Sequence, residues 1–245
     1  MRHTTLLFMS LVTGGMMGCK KPRESAAPVV ENSKVAEQVP EQEQVHIHGG
    51  HEHHHHGFDD PTKFENQWNA PERDRWQHPE EIIAALALSP GATVADIGAG
   101  TGYMVAHLSK AVGDRGTVIA IDAAPAMITY LTNRSADLGP AKIVPQQVSG
   151  ESPELPDDRV DGAITVNTWH HINERETYAK KVYSGLKRGG KFVVVDSEVD
   201  AESGPPKAMR LEAGRVMQDL EAGGFRVVIA HESMPQHYMI VGHKD

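Results

Sequence analysis

The chain has 245 residues, with 33 acidic against 24 basic side chains, a formal net charge of -9 and one cysteine. An acidic surplus with no basic stripe after Lys20-Lys21 excludes nucleic acid as a partner, because phosphate neutralisation needs clustered cations. The lone cysteine excludes an internal disulfide, so folding does not depend on oxidation.

The first segment is short and apolar. Met1-Arg2-His3 is a basic start, Leu6 to Val12 an apolar stretch, and Thr13 to Gly18 a run of small residues and methionines. That layout is a secretory signal, too short to span a bilayer. Met16-Met17-Gly18-Cys19 resembles a bacterial lipobox, with Met16 where leucine is usual. It implies cleavage before Cys19, lipidation there, and an exported lipoprotein that faces the periplasm and meets the membrane through its lipid anchor alone. Plain secretion, or a shorter cytoplasmic chain starting at Met16 or Met17, is the alternative.

Residues 19–62 are rich in Glu, Gln, Pro, Val and Lys without helical or strand periodicity, and read as a disordered tether. Within it stand His46, His48, His51, His53, His54, His55 and His56. Imidazoles at that density bind zinc, copper or nickel. Metal capture and a soluble low-complexity spacer are both compatible with the composition. His51-Glu52-His53-His54-His55 also fits the zinc-protease pattern H-E-x-x-H. That mechanism needs a stable helix, and Gly49, Gly50 and Gly57 flank the match.

From residue 63 to 245 the pattern is that of a folded domain, its periodic elements starting after Pro71. Ile82, Ile83 and Leu86 give Glu80 to Leu88 a helical spacing, stopped by Ser89-Pro90-Gly91. Thr93 to Ile97 is a buried strand, Tyr103 to Val112 a helix, Thr117 to Ile121 a strand ending on Asp122, and Ala126 to Leu131 a helix. Lys142 to Val148 is a weaker strand whose Pro145 suits a sheet edge. Asp161 to Val166 and Lys191 to Asp196 are further strands around a helix from Arg175 to Leu186. After a helix over Leu211 to Ala222, Phe225 to Ala230 and Tyr238 to Val241 pair as an antiparallel hairpin. Alternation of this kind specifies an α/β fold with a mostly parallel sheet covered on both faces. Its ligand site lies at the C-terminal strand ends: Asp96 to Tyr103, Asp122, Asn167 to His171, and the loop after Asp196.

Asp96-Ile97-Gly98-Ala99-Gly100-Thr101-Gly102 joins the first strand to its helix. A dinucleotide loop would place its third glycine where Tyr103 stands. An acid two residues before the first glycine would repel a pyrophosphate but suits an ammonium group. Asp122 occupies the offset at which such folds hold ribose hydroxyls. One acid for an amino-acid end and one for a ribose describe S-adenosylmethionine; helix capping by Asp96 and Asp122 is the alternative.

Val94 to Tyr103 resembles the first motif of the class I S-adenosylmethionine-dependent methyltransferases, and Ile119-Ala120-Ile121-Asp122 their ribose-binding strand. Asp161 to Ile172 is similar to the fourth-strand motif, and Leu186 to Phe192 to the turn before the fifth strand. The resemblance implies a Rossmann-like three-layer sandwich with a seven-stranded sheet, whose last strand inserts antiparallel. It also implies cofactor-binding roles for Asp96, Gly98, Gly100, Gly102, Tyr103, Asp122, Met127 and Asn167. Where the family often has an acid for the adenine amino group this chain has Ser149, with Glu151 two residues on.

Methyl transfer needs alignment and, for a hydroxyl or amine acceptor, a base. His170 and His171 are the candidates, with packing in the fold as the alternative. Trp76, Trp169 and Tyr103 are candidates for an apolar wall around a small-molecule acceptor. An exported compartment is not expected to hold much S-adenosylmethionine. A metal-handling or cofactor-binding module without catalysis is therefore the competing expectation.

Overall fold

The computed structural model describes residues 57–245. The segment expected to be a signal, Cys19, the expected tether up to residue 56 and the seven histidines read above as candidate metal ligands lie outside the described residues.

The sheet has seven strands in the order β3-β2-β1-β4-β5-β7-β6. The first five are β1 (Thr93–Ile97), β2 (Thr117–Asp122), β3 (Lys142–Gln147), β4 (Val160–Val166) and β5 (Leu186–Ser197), paired in parallel. The last two are β6 (Arg226–Ile229) and β7 (His237–His243); β7 inserts antiparallel between β5 and β6. As its proline requires, β3 lies at the edge. The anticipated turn over Leu186 to Phe192 is instead part of β5. Pairing jumps from Val160↔Leu186 to Gly162↔Lys191, so three extra residues of β5 bulge out.

Strand residues alternate between two apolar faces, which places helices on both sides. Val94, Ile164, Val193 and Val195 share one core with Ile82 and Leu86 of α3 (Pro79–Leu86), Val105 and Leu108 of α4 (Tyr103–Val112), and Leu131 of α5 (Pro125–Arg134). Ala95, Ala163, Phe192 and Val194 share the other with Tyr178 and Val182 of α6 (Arg175–Gly185) and Leu220 of α7 (Ala213–Ala222). Leu108, Leu131 and Ile164 are fully buried, and each such side chain contributes about 1.5–3 kcal/mol of transfer free energy. These layers fix the C-terminal ends of β1, β2, β4 and β5 in one row.

Two short helices precede α3, namely α1 (Thr62–Trp68) and α2 (Asp74–Gln77). The aromatic residues Phe58, Phe64 and Trp68 cluster, the last two rings stacked at 4.5 Å. Asn69 donates from Nδ2 to the Thr101 carbonyl at 3.1 Å and accepts from Thr101 Oγ1 at 2.8 Å. A Glu65–Arg134 ion pair at 2.7 Å joins α1 to α5. The segment ahead of the first expected helix is therefore packed onto the glycine loop.

Candidate active site

A cleft of about 1430 Å³ opens at the C-terminal ends of the strands, lined by the glycine loop, the ends of β2, β4 and β5, and α1. Gly98 turns at φ 80°, and a Cβ there would stand 2.3 Å from Thr168 Oγ1. Only glycine lets the β1 loop approach the β4 loop so closely. Gly100 has φ 52° and faces the Trp68 ring, which a Cβ would meet at 3.2 Å.

The charges in the cleft alternate in sign. Asp96 is 2% exposed. Burial raises its carboxyl pKa from 3.8 to about 7; Arg73 opposes the rise and Asp122 adds to it. Arg73 donates to the Trp68 carbonyl at 2.9 Å and to Gln77 Oε1 at 3.0 Å, and its guanidinium lies 3.9 Å from the Tyr103 ring centre. Its Nε is buried without a hydrogen-bond partner, and the residue lines the cleft, where its charge suits a carboxylate. Asp122 accepts the Gly100 N–H on Oδ2 and the Ala124 N–H on Oδ1, both at 2.9 Å. A carboxylate has about four lone-pair sites, so it retains acceptor capacity toward a diol. Asp122 accepts the N–H of Ala124, the residue that opens α5, so the capping alternative holds for it beside any cofactor role, whereas α4 opens on Gly102 without a side-chain cap.

The cleft thus offers an anion, a cation and a second anion beside a glycine turn. Ammonium, carboxylate and ribose hydroxyls of S-adenosylmethionine match that sequence of charges, and the residues fit the cofactor. Tyr103, Met127 and Asn167 also line the cleft. Ser149 is exposed and outside the lining, whereas Gly150 and Glu151 belong to it. Gly102 holds φ 89° at the start of α4, against Leu131 and Leu138.

The loop after β4 places both expected histidines at the cleft, in different surroundings, their ring centroids 4.3 Å apart. His170 donates from Nδ1 to Asp196, 2.9 Å from Oδ1, and its side chain is 3% exposed. The same carboxylate accepts the backbone N–H groups of His170 at 3.2 Å and Ser197 at 2.9 Å. His171 is exposed, edge-on to Phe58. Trp169 is no part of an acceptor wall, which corrects one expectation. The chain leaves strand geometry at Asn167 and turns through a short 3-10 helix over Trp169–His171, and this ring enters the opposite core beside Phe192 and donates to the buried Asp219. Trp76 and Tyr103 do line the cleft.

Asn167 holds a left-handed backbone, φ 54°, a strained state for a non-glycine residue and one that clusters at functional sites. Ser197 Oγ lies 3.5 Å from its Oδ1. Three further residues of the cleft had no local sequence signal: Phe58 and Trp68 precede the periodic pattern, and His237 stands at the start of the last strand. Among the described residues no group of three or more His, Cys, Asp or Glu could hold a metal, and no helix is long and apolar enough to cross a membrane.

A family model described as a methyltransferase domain matches residues 94–190. The uncharacterized methyltransferase YdaC of Bacillus subtilis is 30% identical over 144 residues, covering 58% of this chain and 76% of that protein. The ubiquinone/menaquinone biosynthesis C-methyltransferase of Shewanella frigidimarina is 29% identical over 121 residues, 49% of this chain and 47% of that protein. Against relatives of this second kind the match spans about half their length. A solved S-adenosylmethionine-dependent methyltransferase from Aquifex aeolicus superposes with a TM-score of 0.69 at 26% identity, covering 76% of this chain and 99% of that one.

Proposed function

The chain belongs to the S-adenosylmethionine-dependent methyltransferases, and we propose that it methylates a small, largely apolar acceptor held against Trp76 and Tyr103. The observation that carries this reading is the cradle itself: a glycine turn between two carboxylates of different character, with Arg73 beside the buried one. When bound, the cofactor supplies an electrophilic methyl group on a sulfonium centre.

Each residue of the chain then has a distinct task. Asp96 pairs with the ammonium, an interaction strengthened by burial on both sides. Arg73, which lines the cleft, supplies the positive charge opposite the carboxylate. Asp122 holds the glycine loop through the Gly100 N–H and accepts from the ribose. Met127, buried on α5, and Glu151, after β3, line the cleft and would hold the adenine end. Trp68, on the strap over Gly100, excludes water from the charged end. His170 and Asp196 hold the β4 and β5 loops together.

The lining includes the apolar Trp76, Tyr103, Pro205 and Met209 together with polar residues such as Asn167, Ser197, Ser203 and Gln236. That lining suits a ring or short chain with one polar group. The quinone-ring chemistry in the name of the Shewanella protein is compatible with such a pocket. A screen of phenols, quinols, amines, thiols and carboxylates with radiolabelled cofactor tests the reading: label should pass to an apolar member carrying one polar group. Transfer only to large or highly charged acceptors would contradict it.

A further inference from the structure

The sheet topology brings a third histidine to the reacting end. Strand β7 runs antiparallel to β5, so its first residue pairs with the last residue of β5: Ser197↔His237. Asn167 neighbours Ser197 in turn, with its N–H bonded to the Val195 carbonyl. His237 therefore continues the row of strand ends along the cleft floor, and it lines the cleft.

Two contacts set its chemistry. His237 Nδ1 lies 3.2 Å from the Pro235 carbonyl oxygen. A carbonyl only accepts, so Nδ1 carries the hydrogen and the lone pair of the neutral ring is on Nε2. The ring is stacked on Trp76, centroids 5.7 Å apart and planes within 19°, which fixes its orientation. Asp196 of β5 and Arg73, which precedes α2, are the charged groups acting on it. Burial lowers its pKa below that of ordinary imidazole and Arg73 acts in the same direction, against the Pro235 carbonyl and Asp196. The neutral ring is thus favoured more than in an ordinary imidazole.

The other two histidines are less suited. His170 is closed into its pair with Asp196 and nearly inaccessible. His171 is at the exposed edge against Phe58.

Resting on the methyltransferase reading above, we propose that His237, through Nε2, is the base that accepts the proton of a hydroxyl or amine acceptor. The proton passes to Nε2 from the acceptor's O–H, or from the N–H of an ammonium acceptor, and the bonding pair stays on the acceptor's oxygen or nitrogen, which uses it to form the bond to the methyl carbon. The carbon–sulfur pair stays with sulfur, and the proton leaves to solvent from the imidazolium.

Two measurements on the full chain test this. Diethyl pyrocarbonate acylates neutral, accessible imidazole nitrogens, and peptide mass mapping resolves each histidine. His237 should be modified at pH 6.5 several-fold faster than His170, and S-adenosylhomocysteine with a bound acceptor should protect it. A His237 that resists the reagent while His170 reacts would overturn the assignment. His237→Gln should bind S-adenosylmethionine as the wild type does in calorimetry, and transfer methyl roughly 100- to 10,000-fold more slowly to the acceptor found by the screen. Unchanged transfer with intact cofactor binding would end the proposal for His237 alone. Absence of cofactor binding in the wild type would instead remove the reading on which it rests.

Discussion

Replacing Asp96 by Asn should stabilise the cofactor-free protein at neutral pH while weakening the cofactor. The carboxyl is 2% exposed, and burial raises its pKa from 3.8 to about 7. Between those values the folded protein holds a proton that the unfolded chain releases, so stability is full at low pH and falls as pH rises through 7. The whole loss is roughly 4 kcal/mol, of which about 2.5 kcal/mol falls between pH 5 and pH 8. Urea denaturation of the wild type and Asp96→Asn at pH 5, 6, 7 and 8 should show the stability difference growing by about that amount toward high pH. Saturating S-adenosylmethionine should abolish the trend in the wild type, because the ammonium favours the ionised carboxyl. In the variant its affinity should fall by about 1.5–3 kcal/mol, the range for a hydrogen bond to a charged group. A stability difference independent of pH would refute the buried-carboxyl reasoning. A growing difference with unchanged affinity would leave Asp96 as structural only.

Three further outcomes are expected. His170→Gln should lower stability by about 1–3 kcal/mol through the buried Asp196 it leaves short of a partner, seen as an earlier urea midpoint; slowed transfer with unchanged stability would make His170 a base instead. Membrane fractions of cells expressing Cys19→Ser should lose the protein that the wild type retains through salt washing, and equal retention would remove the lipid anchor. Deleting His46 to His56 should abolish pH-dependent zinc binding, which fails below about pH 6, and leave methyl transfer intact; lost transfer restored by zinc only in the undeleted protein would join the tract to the active site.

Much of the sheet was legible because its signals are local. Thr93–Ile97 and Tyr103–Val112 have the boundaries expected from β-branched runs, glycine punctuation and helical spacing. Asp96, the glycines and Asp122 were readable for the same reason, since one loop and one strand end carry them. The Asn69–Thr101 pair and the Trp68–Gly100 contact were not, because they join residues 32 apart through side chains with no periodic signature. His237 was hidden by topology. Only the insertion of β7 beside β5 brings it to Ser197, 40 positions earlier in the chain. Trp169 was misplaced because the chain leaves strand geometry after β4, at left-handed Asn167 and the turn over Trp169–His171, which no local pattern announces.

The central claim is that this cleft holds S-adenosylmethionine through its glycine turn and the acid ending β2. Isothermal titration of S-adenosylmethionine into the purified protein and into Asp122→Ala, both checked for fold by circular dichroism, addresses it most directly. Saturable binding to the wild type is expected, weakened in the variant by about 1–3 kcal/mol, roughly 5- to 150-fold, through lost charge-assisted hydrogen bonds. No saturable heat with the wild type, or the same affinity in both proteins, would contradict it.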